Sequence, residues 1–545
     1  MKKTPQSAAL KGGLLALLIC SACSQAAETE TYTDVTFDST QLYSRLLVDS
    51  RINDFYANKK QMGFNLYDAD GNMLRQSAGA ANLKFDYVPG LVAKALIEGA
   101  AYYKDSTFAR AWYYMVEDYA NTFCATVPTT GGSLDNLNAT KMYPILLSLA
   151  GEGGAFADIA NPATCSNAVQ AMQNAIQGLS DANTTYVIKS SVKEDAAGGW
   201  FHKSGYPNQM WCDGQYMGPA LLAQLIGYGY NIENDEEDWR TITRQLDITW
   251  HYLWDANKRL LWHAFSADPT DSKSSCWADP QTGRSAEYWG RACGWYMLAL
   301  VDLIEMMPDG IEYRPTQSSL AGYSTDCRAR LMQYLELLSD GLRARQDAKT
   351  GCWYQLLAYD DTFSASSYQG QQYSKTYNYL ESSATAIFTA AYLKAVRLGY
   401  LPADVYDSVA VRGYEGFVNQ FVKLRKDGTY TLVNSCASAG LGGSANRDGS
   451  AAYYLLGSDV TRITSYTEGK VLGAFLLAAI EYERRQQERA QADVPSAGEE
   501  EQTSVATVAY HRRMPSDMFF DLAGHRCAGD CYYPRISDRT IVVRR

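Results

Sequence analysis

The sequence predicts an all-α protein, an (α/α)6 barrel of six helical hairpins, with a small β-type tail at the C-terminus. Three observations predict it. Twelve segments carry apolar residues at i, i+3 and i+4 spacing. Strand signals are short and scattered, such as GTYTLV at 428–433. No motif recurs at a fixed period, which favours a closed ring over an open helical solenoid.

The helical segments fall in order along the chain. The first six span 39–58, 86–104, 106–122, 136–150, 166–179 and 214–229. The next six span 236–255, 286–306, 319–345, 379–398, 404–422 and 468–488. In LVAKALIEGAAYY (91–103), for example, Leu91, Ala95 and Ile97 fall near one face. Gly-, Asn- and Pro-rich loops separate the segments. In a ring of hairpins, the loops at one end carry the chemistry, because loops vary freely on a rigid scaffold.

Both ends of the chain read differently from the body. Lys2, Lys3 and Lys11 precede a short apolar run from Leu14 to Ile19, followed by small residues. That is an export signal, too short to span a bilayer. Ser21 and Ala22 before Cys23 resemble a lipoprotein signal, although Cys20 stands where an aliphatic residue is usual. Residues 1–23 are therefore expected to be a signal peptide with a lipid anchor at Cys23, and cleavage after Ala26 is the alternative. The expected location is the periplasm or the outer membrane. The body is assigned to 24–488, a polar acidic linker to 489–516, and a β-type tail to 517–545. His525, Cys527 and Cys531 lie close together in that tail, but their irregular spacing and missing fourth ligand argue against zinc. Cys527 and Cys531 are close enough for a local disulfide.

At 46% hydrophobic and 20% charged, the composition is that of a globular protein. A net charge of −11 argues against general nucleic-acid affinity. It leaves room for an anionic small substrate held by local cations. The 40 Tyr and 11 Trp suit sugar binding, although most aromatic residues serve packing. Only five His occur, and there is no G-x-S-x-G, H-E-x-x-H, P-loop or Rossmann fingerprint. Acid/base chemistry by carboxylates remains. Three clusters place such residues beside aromatics at loop-to-helix junctions: SLDNLNATKMYPILLSLA (133–150), GGWFHKSGYPNQMWCDGQYMGP (198–219), and LLWHAF (260–265) followed by WADPQTGRSAEYWGRACGWYM (277–297).

These clusters resemble the unsaturated uronyl hydrolases of glycoside hydrolase families 88 and 105, and family 105 more closely. YPNQMWCDGQYMGP (206–219) is similar to that group's Y-P-x-Q-M-W-x-D-G-x-Y-M. The segments 277–297, 379–401, 437–455 and 469–483 also fit, so the likeness covers about 85–485. The resemblance implies the barrel and a reaction on products of polysaccharide lyases. In it, an Asp protonates C4 of a C4=C5 unsaturated uronic acid, water adds at C5, and the ring opens to release the neighbouring sugar.

Carried over residue by residue, the resemblance makes Asp213 the proton donor and base. Read from spacing alone, Asp213 is equally an N-cap of the 214–229 helix. Trp211 and Tyr216 around it should raise its pKa, whereas a nearby helix start favours the anion. Asp135 matches a second acid that contacts the uronate, with a helix cap as the alternative. His263 matches a histidine near the reacting sugar, with a packed core imidazole as the alternative. The acid that often follows this histidine is displaced here to Asp268. Trp289, Arg291 and Trp295 match active-site residues, Arg291 as a two-point clamp on oxygen atoms. Ordinary core is the alternative for Trp295, and a surface or capping charge for Arg291. Trp211, Tyr206, His202 and Arg447 are expected to line the funnel. Cys212 departs from the pattern. No metal or organic cofactor is implied, and the partner is an unsaturated oligosaccharide. A glycan-binding lipoprotein without catalysis and a polysaccharide lyase are the competing readings.

Overall fold

The computed structural model describes residues 32–57, 64–77 and 84–492, and the backbone of 535–537 and 540–542. Residues 1–23, expected to be an export signal with its lipidated Cys23, and His525, Cys527 and Cys531 lie outside the described residues.

Two helix types alternate along the chain. α1 (Tyr43–Ala57) is outer and α2 (Tyr87–Tyr103) inner; α3 (Thr107–Phe123) is outer, and α4 (Leu134–Asn138) with α5 (Met142–Ala150) forms the next inner element. Then follow outer α6 (Thr164–Thr184), inner α7 (Cys212–Met217) with α8 (Pro219–Ile226), outer α9 (Asp235–Leu253) and inner α10 (Gly290–Met306). Outer α11 (Cys327–Arg343), inner α12 (Ser382–Arg397), outer α13 (Ala403–Phe421), the short α14 (Ala451–Leu456) and inner α15 (Gly469–Ala492) complete the order. The sequence explains the division. In α10 every residue from Gly290 to Ile304 is buried, as expected of a helix apolar all round. In α3 the buried set is one stripe, including Ala109, Trp112, Tyr113, Val116 and Ala120.

Each inner element packs on the next, from α2 through α4–α5, α7–α8, α10 and α12 to α15, and α15 returns to α2. The ring is closed. Its pairing differs from hairpins counted off from the N-terminus: α2 pairs with α3, α5 with α6, α8 with α9, α10 with α11 and α12 with α13. The sixth pair is α15 with α1, the last helix with the first. Residues Thr33–Asp34 add to this seam by pairing antiparallel with Val422–Leu424. At the backbone level Arg535–Ser537 pairs with Thr540–Val542, a hairpin inside the segment read as β-type.

Helix boundaries follow capping chemistry. Asp86 accepts from Val88 N at 2.9 Å and starts α2. Asp326 accepts from Ala329 N at 2.7 Å, so α11 starts at Cys327 rather than at 319. α10 starts at Gly290, not at 286, because Trp289 is still extended. α15 continues to Ala492, past the expected boundary at 488. Among the described residues, no helix is long and apolar enough to cross a membrane.

Two buried polar clusters tie the ring together. In the interior, Lys394 of α12 meets Asp302 at 2.7 Å and Glu305 at 2.6 Å on α10, and Lys94 of α2 meets Asp302 at 3.7 Å. Burial opposes ionisation of Asp302, but Lys394, Lys94 and Lys141 outweigh it and hold its carboxyl well below the usual range. At the seam, Ser44 Oγ of α1 donates to Glu483 Oε1 of α15 at 3.0 Å. Burial pushes Glu483 up to about 8 despite those hydrogen bonds.

This seam makes stability depend on pH. The carboxyl's ordinary value is 4.5, so between there and about 8 the folded state holds a proton that the unfolded chain has lost. Stability from this group is present below 4.5 and is lost as pH rises through about 8. Urea unfolding of Glu483→Gln, whose amide oxygen still accepts from Ser44, should show a shallower fall in stability across that window. A pH slope identical to that of the wild-type protein contradicts this account of the seam.

Candidate active site

The N-termini of the inner helices gather at one end of the ring. The Tyr87 hydroxyl at the start of α2 feels the charges of Asp135 (α4), Asp213 (α7), Arg291 (α10) and Glu468 (before α15). Arg291 Nη1 in turn donates to Ser383 Oγ at the start of α12, at 3.0 Å. Each helix start favours an anion by about 0.3–1 kcal/mol through its free N–H groups. An acidic protein thus builds a local site for negative charge.

Asp213 sits in the first turn of α7, after the cap residue Trp211, so it is not the N-cap. The strand Gln209–Trp211 delivers it there by pairing antiparallel with Ala264–Ser266, with Trp211 opposite Ala264. That pairing also brings His263 beside it. His263 Nε2 stands 3.4 Å from Asp213 Oδ2, close enough for charge attraction but not aligned as a hydrogen bond. The imidazole is fully buried, and its Nδ1 is 2.6 Å from the Tyr454 hydroxyl. With Nε2–H facing the carboxylate, Nδ1 accepts from the tyrosine; this tautomer follows from the neighbours. Burial alone would raise the Asp213 carboxyl, but His263, His202 and Arg291 outweigh it and leave it lowered. The rise expected from its aromatic neighbours is overturned by His263, His202 and Arg291.

Cys212 now has an explanation. Its amide donates to His263 O at 3.0 Å, and its thiol to Trp262 O at 3.3 Å. The Cys293 thiol donates to Leu261 O at 3.2 Å. Two buried thiols thus hold the strand that carries His263. Burial pushes both thiols up, so they act as donors rather than as nucleophiles.

The aromatic wall is built on Trp211. Its ring lies parallel to Tyr206 at 5.6 Å and to His202 at 4.8 Å, and edge-on to His263 at 5.0 Å. Trp211 Nε1 donates to Gln209 Oε1 at 3.1 Å, which fixes the ring. On the other side, Trp289 lies 4.8 Å from His263 and carries the Arg291 guanidinium 4.6 Å above it. Trp289 Nε1 donates to Gln355 Oε1 at 3.2 Å. Arg291 is buried and turns inward, its Nη1 donating to Ser383 Oγ and to Cys436 O at 2.7 Å. It supports Trp289 and supplies positive potential, with Nη1 of the fork expected to act as a clamp turned to protein acceptors. Trp295 stacks on Tyr216 at 5.0 Å and meets Tyr87 edge-on at 6.3 Å, a layer behind Asp213.

Asp135 is the second residue of α4, after Ser133, and is likewise not its cap. Its Oδ2 meets Lys203 Nζ at 2.6 Å, and its Oδ1 stands 3.4 Å from His202 Nε2. Burial lowers the His202 pKa in spite of Asp135, so the neutral ring is favoured. Asp268 and Arg447 both hold loops: Asp268 accepts from Thr270 Oγ1 at 2.7 Å, and Arg447, within electrostatic reach of Tyr206, holds Asp459 at 3.1 Å and Gly442 O at 2.9 Å. Among the described residues, no three His, Cys, Asp or Glu side chains are arranged to share a metal ion.

Sequence reasoning missed Lys203, Tyr454 and Tyr87 as site residues. Lys203 had a signal, since it follows His202 in the same loop. Tyr454 had none, because its partner His263 is 191 positions away.

Comparisons with known proteins agree with this geometry. A glycoside hydrolase of family 105 from C. acetobutylicum ATCC 824 superposes with a TM-score of 0.57 at 28% identity, covering 82% of this chain and 100% of that one. A possible family 105 member from Salmonella enterica shares the fold, with a TM-score of 0.52 at 20% identity, covering 83% of this chain and 96% of that one. The 24.9 kDa protein in the picA locus of Rhizobium radiobacter is 31% identical over 190 residues, 34% of this chain and 69% of the relative. The profile of Glycosyl Hydrolase Family 88 matches residues 68–486, and with the closed helical ring and its buried acid beside histidine and tryptophan, the chain belongs to that glycoside hydrolase family.

Proposed function

We propose that this glycosidase removes a 4,5-unsaturated uronic acid from the non-reducing end of lyase-generated oligosaccharides, of rhamnogalacturonan or a related acidic glycan. The observation that carries the reading is Asp213, a buried carboxyl facing His263, while the second acid of the site, Asp135, is engaged by Lys203 and His202. A hydrolase that displaces at the anomeric carbon needs two carboxyl groups about 5–10 Å apart that flank it. Hydration of an enol ether needs one group that gives a proton and takes one back.

The steps balance on one acid. Protonated Asp213 gives its proton to C4, and positive charge develops at C5 and the ring oxygen. Water adds at C5 and returns a proton to Asp213. The hemiketal opens by breaking the C5–O bond, and the hemiacetal left at C1 releases the neighbouring saccharide as an alcohol. Trp211 and Tyr206 present flat faces for sugar rings. Asp135 accepts sugar hydroxyls, and Lys203 beside it, 35% exposed, can turn to the uronate carboxylate. An export signal with a lipid anchor at Cys23 would place this chemistry where extracellular lyases deliver their products.

In the free enzyme Asp213 is held low by His263, His202 and Arg291. An incoming uronate carboxylate adds a like charge, competes for the same groups and favours the protonated acid. The basic limb of kcat should therefore lie at higher pH than the basic limb of kcat/KM, since the first reports the bound enzyme and the second the free enzyme. Coincident limbs contradict this electrostatic account.

Turnover is followed by ultraviolet absorbance of the C4=C5 bond in unsaturated oligouronides. The hydrolase makes it fall, a lyase acting on intact polymer makes it rise, and a binding protein leaves it unchanged. Asp213→Asn should cut kcat by about 10³–10⁴-fold, the upper part of the usual range for one general acid, because both proton transfers are lost. Retained activity in a folded variant removes Asp213 from the reaction.

A further inference from the structure

α7 is only six residues long, too short to be stable by its own hydrogen bonds. It ends where Gly218 and Pro219 break the inner helix, and α8 starts afresh. Pro219 has no N–H to give, and the Leu221 amide turns to Gly218 O at 2.9 Å instead of continuing the ladder onto Met217. The break thus leaves carbonyls facing the interior, where an unpaired acceptor costs about 1–3 kcal/mol.

Two side chains from the segment that bears Asp135 meet those carbonyls. Asn138 Nδ2 donates to Tyr216 O at 3.1 Å and to Met217 O at 3.2 Å. Lys141 Nζ donates to Tyr216 O at 2.5 Å and sits 3.2 Å from the centre of the Tyr216 ring. Both side chains are buried, Asn138 to 2% and Lys141 to 1% exposure. A buried lysine without a carboxylate in ion-pair contact is costly to keep, and burial depresses its pKa strongly even with Asp302 nearby. Its location therefore needs a reason beyond filling space.

We infer that Asn138 and Lys141 are positioning residues, which clamp the C-terminal end of α7 so that Asp213 at its other end is held against His263. The segment 133–141 then sets both acids at once: Asp135 by its first turn, Asp213 through the two donors. The inference rests on the proposed hydrolysis only for its kinetic consequence. The clamp itself is a statement about α7.

Asn138→Ala deletes one pair of donors, and Lys141→Met keeps the chain length but removes the other. Amide hydrogen exchange is measured over 212–217 and over α10 and α12 as controls, and kcat and KM are measured per folded molecule on unsaturated oligouronides. A clamp predicts exchange of 212–217 faster by at least about tenfold in each variant with α10 and α12 unchanged. It also predicts kcat lower by about 10–100-fold with KM within about twofold, as for a misplaced reacting group. Unchanged exchange at 212–217, or unchanged kcat, overturns the inference. Should Asn138→Ala fail to fold, Lys141→Met alone decides. If wild-type protein leaves unsaturated uronides untouched, the proposed function falls, and the exchange measurement still decides the clamp.

Discussion

A carboxylate taken out of water must be met by hydrogen-bond donors and positive charge, and at Asp213 nearly every feature of the site answers that need. His263 faces it at 3.4 Å, with His202 and Arg291 further out. The ring of inner helices serves the same end, because a closed barrel with parallel inner helices puts several positive helix starts at one mouth. Tyr454, the two buried thiols and the strand pairing at Trp211 all fix His263, and through it the acid. Loss of the His263 contact would leave an unpaired buried charge, which folded proteins rarely tolerate.

That constraint also explains how an acidic protein can handle an acidic glycan. The net charge of −11 is spread over the whole chain, whereas the cations at the site are buried and weakly screened. Arg291 shows the principle most clearly. Its Nη1 is engaged with Ser383 and the Cys436 carbonyl, and its charge lies against the Trp289 ring and within reach of Asp213. It acts by field and by support rather than by contact.

Much of this was legible because the site is assembled from compact strings. Asp213, Trp211 and Tyr206 lie within a few residues of one another, and Trp289 and Arg291 straddle one helix start. The ring could be read from twelve amphipathic segments in series with no motif of fixed period. What resisted reading depends on distant partners. The Tyr454 hydroxyl on His263 joins residues 191 positions apart, and the closure of α1 on α15 joins the two ends of the ring. The sign of the Asp213 shift is a sum over His263, His202 and Arg291, and no local pattern around WCDG contains it. Arg291 was read as a clamp because its residue type suggests one. Only packing shows that its Nη1 is turned to Ser383 and the Cys436 carbonyl.

The account stands on the claim that chemistry occurs at the C4=C5 bond and leaves the bond from C1 to the leaving saccharide to break by itself. An unsaturated uronide joined through sulfur in place of the glycosidic oxygen tests this directly. Protonation at C4 and hydration at C5 do not involve the linking atom, so the sulfur-linked and oxygen-linked substrates should lose their double-bond absorbance at similar rates. Cleavage of the oxygen-linked substrate alone, with the sulfur-linked one untouched, would show that the enzyme protonates the leaving group like an ordinary glycosidase and would contradict the account.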